Sequence, residues 1–110
     1  MNPEEWELDY YIAPNGRAPY QEWYKSLNDS KTRQIILKRL ARIRSGNFGT
    51  CELVGFGVFE FKIDYGPGFR IYFSKSGEKI ILLLCGGNKS SQHKDIQMAH
   101  HYWGNYKELK

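Results

Sequence analysis

Two cations separated by a turn are the first residues of this 110-residue sequence able to do chemistry. Lys62 and Arg70 lie in the alternating runs "VFEFKIDY" and "FRIYFS". Phe59, Phe61, Ile63 and Tyr65 take one set of positions in the first run, and Phe69, Ile71 and Phe73 in the second. Successive side chains of a strand point to opposite faces, so both cations are expected to point away from the aromatic row. Beyond them, "GGNKSSQHKD" gathers Asn88, Lys89, Ser90, Ser91, Gln92 and His93 at the start of an expected helix, where free N–H groups attract anions. Lys62, Arg70 and Lys89 together would form an electropositive pocket sized for a phosphate, and His93 beside it is able to move a proton near neutral pH. The competing reading is a solvated strand face with an Asp64–Arg70 pair, and a polar loop that only caps a helix.

A second concentration of charge lies upstream. "KTRQIILKRLARIR", from Lys31 to Arg44, carries six basic residues and no acid, more than the chain's whole net charge of +4. At helical spacing Ile36, Leu40 and Ile43 form an apolar stripe, with Lys31, Lys38 and Arg42 roughly opposite it. Such a face suits nucleic-acid phosphates or an acidic protein segment, and equally an ordinary solvated helix. The sequence has no phosphate-binding glycine loop with its lysine, no paired-cysteine zinc spacing, no HExxH and no GxSxG. "GFG" precedes a strand instead of opening a helix, so it is not read as a nucleotide loop.

The elements that must position these residues follow from periodicity. "WELDYYI" alternates as a half-buried strand, with Trp6, Leu8, Tyr10 and Ile12 inward and Tyr11 outward. Pro19 opens a helix with Tyr20, Trp23, Tyr24 and Leu27 on one side, and Asn28, Asp29 and Ser30 offer caps for a second helix that Gly46 closes. A glycine-rich connection leads to three strands. A hairpin centred on Pro67 would set Lys62 opposite Tyr72 and Asp64 opposite Arg70. "KIILLLC" reads as a strand buried on both faces. "GGN" is expected to let the chain bend sharply into a last helix capped by Ser90 or Ser91, with Ile96, Ala99, Trp103 and Tyr106 inward. The order β-α-α-β-β-β-α predicts one α+β domain over residues 1–110, a mainly antiparallel sheet packed against a helical hairpin and a C-terminal helix. Composition (41% hydrophobic, 25% charged) is that of a folded domain. The acidic start lacks the pattern of a signal peptide, no apolar run reaches the length of a membrane span, and Cys51 and Cys85 are read as free thiols rather than a disulfide. These features together predict a soluble cytoplasmic protein.

The element order, the "VFEFKIDYGPGFRIYF" hairpin, the "IILLLCGG" strand and the tail "NKSSQHKDIQMAHHYW" together resemble the RelE/ParE toxin superfamily, nearest its HigB-like, phage-derived addiction-module branch. The resemblance runs from about Trp6 to Tyr106. It implies the toxin of a type II toxin–antitoxin pair, bound by a helix-turn-helix antitoxin and touching operator DNA only through it. Many such toxins are endoribonucleases that cut mRNA on the ribosome without metal or cofactor, whereas ParE members poison DNA gyrase. On the ribonuclease pattern Arg70 matches the arginine that clamps the transition state, and Lys62 and Lys89 match basic positions that share charge stabilisation. His93 would take the proton-transfer role. Lys31, Lys38, Arg42, Asn88 and Tyr72 would contact RNA or the ribosome. Where some relatives carry a further lysine, this sequence has Glu60, which would act as a carboxylate base or neutralise Lys62.

Overall fold

The computed structural model describes residues 5–109; the first four residues of the acidic start, and with them part of the signal-peptide reading, lie outside. Five strands and three helices follow in the order β1 (Glu7–Tyr10), α1 (Pro19–Ser26), α2 (Ser30–Arg44), β2 (Cys51–Leu53), β3 (Phe59–Ile63), β4 (Phe69–Ser76), β5 (Ile80–Asn88) and α3 (Gln92–Glu108). The sheet order is β1-β5-β4-β3-β2, with β1 parallel to β5 and the other neighbours antiparallel. The α+β class, the helical hairpin and the C-terminal helix agree with the sequence reading, but β2 is an additional strand. Its three residues sit in the stretch read as a glycine-rich connection, too short to show an alternating pattern. No helix among the described residues is long and apolar enough to cross a membrane. Both cysteines are free.

Each face of the sheet is covered. Tyr20, Ile36, Leu40 and Ile43 of the hairpin pack on Phe61, Ile63, Ile71, Phe73, Ile81 and Leu83. On the opposite face, Ala99 of α3 closes over Tyr11, Val58, Tyr72, Leu82, Leu84 and Cys85, with Ile96, Trp103 and Tyr106 packed alongside. This second cover explains why Tyr11, expected outward, is buried and donates its hydroxyl to Asn105 Oδ1 at 2.7 Å. Tyr10 and Ile12, expected inward, are exposed.

Two register details prepare the polar cluster on the α3 face. The β3–β4 hairpin pairs Lys62 with Arg70 and Glu60 with Tyr72, because the turn centres on Gly66 and not Pro67. The expected Lys62–Tyr72 and Asp64–Arg70 pairings are therefore corrected. In β5 the register against β4 skips at Leu84, between the pairs Tyr72–Cys85 and Phe73–Leu83. This bulge lets Leu84 and Cys85 both face α3. Gly86 and Gly87, expected to bend the chain, instead continue the strand. They are glycines for lack of room: a Cβ on Gly86 would lie 2.3 Å from the Trp23 ring, and one on Gly87 would lie 1.8 Å from Asp95 Oδ2.

Candidate functional site

The residues that gather under the N-terminal end of α3 come from three strands and the helix. Alternation along β3 sends Glu60 and Lys62 to this face, alternation along β4 sends Arg70 and Tyr72, and Gly87 of β5 pairs with Arg70. Glu60 is the hub, almost wholly buried. Its Oε2 accepts from the Tyr72 hydroxyl at 3.0 Å and from Gln92 Nε2 at 2.9 Å, and lies 3.8 Å from Arg70 Nε. Burial pushes the Tyr72 phenol far above its ordinary value, and the Glu60 charge adds to the shift. Arg70 is 8% exposed and its Nε is buried without a hydrogen-bond partner among the described residues. An unpaired buried N–H costs about 1–3 kcal/mol.

Beside this hub, Asp95 lies over Gly87 and accepts from Ser91 Oγ at 2.5 Å. Burial raises the Asp95 carboxyl above the usual range, opposed by the Ser91 hydrogen bond and the Lys94 charge. The link between strand and helix is a single 3-10 turn, Lys89–Ser91, fixed by Asn88. The Asn88 side-chain oxygen accepts from the N–H groups of Ser90 and Ser91, and Ser91 Oγ accepts in turn from the Asn88 N–H.

The structure brings only some of the expected site residues together. Lys62 and Arg70 are direct cross-strand partners on one face, Lys62 half-buried. Lys89 is exposed on the turn after Asn88, whose register partner is Phe69, the neighbour of Arg70. His93 is exposed and contacts Gln97 at 3.3 Å. Gln92, one position earlier and so about 100° around the helix, is the α3 residue that enters the cluster. One expected RNA contact is corrected: Tyr72 is fully buried behind α3. The Asn88 side-chain oxygen is committed to the capping turn. Lys31, Lys38 and Arg42 are exposed on α2, which covers the other face of the sheet, so they lie apart from this cluster. Lys31 Nζ also sits 5.6 Å above the Tyr65 ring.

Sequence reasoning gave Glu60 and Gln92 little weight, and passed over Asp95. Their signal was present but indirect: Gln92 and Asp95 are one helical turn apart, and Gly87 gives Asp95 its seat. What the cluster offers chemically is two cations side by side with a carboxylate, a phenol and an amide behind them. This arrangement suits an anion with tetrahedral oxygens.

No family model matches the sequence. An uncharacterized protein of Haemophilus influenzae is 39% identical over 80 residues, which span 73% of this chain and 81% of that protein. The chain belongs to the family that includes this Haemophilus protein.

Proposed function

We propose that this member of the family is the toxin of a type II toxin–antitoxin pair with the RelE/ParE-like fold, HigB-like in kind. In this reading it acts in the cytoplasm as a ribosome-dependent mRNA endoribonuclease, and a helix-turn-helix antitoxin restrains it. The observation that carries the reading is the Lys62–Arg70 cross-strand pair on the face that also holds Glu60. Attack by a ribose 2′-hydroxyl builds negative charge on the phosphate oxygens, and paired cations stabilise that charge most where water is scarce. Arg70 clamps the phosphate with Lys62 and the exposed amine of Lys89. Glu60, hydrogen-bonded to Tyr72 and Gln92, holds the guanidinium in place. Proton transfer falls to a group supplied by the ribosome, since Gln92 and not the expected His93 enters the cluster.

One observation favours a second reading. Arg70 is buried beside a carboxylate, which offsets its charge, and that suits a gyrase poison or a non-cleaving binding module of the same fold. Brief induction in a bacterial host, followed by sequencing of RNA 5′ ends, separates these. New 5′ ends on ribosome-bound messages, reduced at least tenfold by Lys62→Ala and by Arg70→Lys, are the expected result. Undiminished cleavage by both variants overturns the site assignment. Growth arrest with intact messages and a DNA-damage response overturns the ribonuclease reading in favour of gyrase.

A further inference from the structure

The most exposed large apolar side chain among the described residues is Phe56, 80% exposed on the β2–β3 loop. It is also the one non-glycine residue among them with a positive φ, 53°, between Gly55 at 102° and Gly57 at 82°. A side chain in that conformation costs about 1–2 kcal/mol, and exposing an aromatic ring forgoes the gain from burying it. The loop is nevertheless held by hydrogen bonds of its own. The Val58 N–H donates to the Gly55 carbonyl, the Val54 N–H to the Val58 carbonyl, and Gly57 is pressed against Trp103 Nε1. Folding gives no reason to hold a phenylalanine outward in this way.

Across from Phe56, α3 presents a hollow of about 330 Å³ lined by Phe56, His100, His101, Trp103, Gly104 and Lys107. That volume is at the lower end for small-ligand pockets. Gly104 forms part of its wall. Glycine inside a helix is destabilising by about 0.5–1 kcal/mol relative to alanine, and a Cβ here would meet nothing within 4 Å. Close packing therefore does not require this glycine; it keeps the hollow open. The Phe56 ring stands edge-on to His100 at 4.9 Å, Trp103 stacks on Tyr106 at 5.6 Å, and Lys107 Nζ sits 5.4 Å above the Trp103 ring. His100 Nε2 contacts the Val54 carbonyl at 2.9 Å, and a carbonyl only accepts, so that nitrogen carries the proton. In the neutral ring Nδ1 is then an acceptor, suited to an exocyclic amine.

From these observations we infer that the Phe56–His100–Trp103 hollow is a stacking site for a base of single-stranded RNA. Flat aromatic faces, ring nitrogens able to read a base edge and one lysine for the backbone are the chemistry of such sites. His100 lies eight residues beyond Gln92 on α3, about 12 Å along the axis, a span of three to four stacked bases. The inference does not depend on cleavage.

The test is binding of 2′-O-methyl hexanucleotides, which cannot be cut through the 2′-hydroxyl, to the full chain by fluorescence anisotropy. Phe56→Ala and Gly104→Leu are each expected to weaken binding about tenfold. Gly104→Leu should fold with an equal or higher Tm, because it fills the hollow and favours the helix. An abasic oligomer of the same length should bind as weakly to wild type as the hexanucleotide binds to the variants. Equal binding by wild type and both variants overturns the inference, as does an abasic oligomer that binds as well as one with bases. Loss in the variants of a protein partner alone, with oligonucleotide binding unchanged, also overturns it. A chain that binds hexanucleotides through Phe56 yet cuts no message keeps this site and loses the ribonuclease reading.

Discussion

The two faces of the sheet are built to different rules. Beneath the helical hairpin, every strand residue that reaches the buried core is apolar: Phe61, Ile63, Ile71, Phe73, Ile81 and Leu83. Beneath α3, the same strands bury Glu60, Arg70 and Ser74 together with the Tyr72 phenol. Alternation makes this division possible, since neighbouring residues of one strand serve opposite faces. Burying a charge is costly, and a domain that needed only stability would have lined both faces alike. The contrast sets a wholly apolar packing on one face against a packing that encloses polar and charged groups on the other.

The largest effect that tests this division comes from the apolar face. Phe61 is fully buried, and its ring meets Phe73 edge-on at 6.3 Å. Phe61→Ala should cost about 3–5 kcal/mol in urea unfolding, a large part of a small domain's stability. Next comes the hub of the polar face. Glu60→Ala strands Arg70 in the interior and should cost about 2–3 kcal/mol. The triple variant Glu60→Leu, Arg70→Met and Tyr72→Phe removes both charges and the hydroxyl that Glu60 accepts from, and should return to within about 1 kcal/mol of wild type, because apolar replacements of a buried pair are often neutral. A triple variant as unstable as Glu60→Ala would break the comparison, since the polar groups would then be part of the packing itself.

Much of this was legible in the sequence. The stripes Tyr20–Trp23–Tyr24–Leu27 and Ile36–Leu40–Ile43 give α1 and α2, because amphipathic helices announce which side is buried. The apolar run Ile81–Cys85 likewise gives a strand covered on both sides. What it hid depends on contacts distant along the chain. Tyr11 reads as outward until a helix ninety residues later covers it. Gly86 and Gly87 read as a bend until Trp23 and Asp95 are seen pressing on them from either face. The candidate site follows the same division: strand alternation placed Lys62 and Arg70 together, whereas Gln92 rather than His93 entered the cluster through the phase of α3, which is set by the 3-10 turn before it.

The smallest effect sharpens the comparison most, because it has opposite signs on the two faces. Tyr20 under the hairpin and Tyr72 under α3 are both buried phenols whose ionisation is pushed well above the ordinary value, in each case first by burial. The Tyr20 hydroxyl is buried without a hydrogen-bond partner among the described residues, whereas that of Tyr72 donates to Glu60. Tyr20→Phe should therefore be neutral or stabilise by about 1 kcal/mol, and Tyr72→Phe should destabilise by about 1.5 kcal/mol. Both phenols ionise more readily in the unfolded chain, so their contribution is present below about pH 10 and is lost as pH rises above it toward their folded values. Each phenylalanine variant should accordingly lose less stability than wild type between pH 9 and pH 11 in urea titrations. If Tyr20→Phe instead destabilises as much as Tyr72→Phe at pH 8, the hairpin face holds a polar contact of its own and the two faces are not built to separate rules.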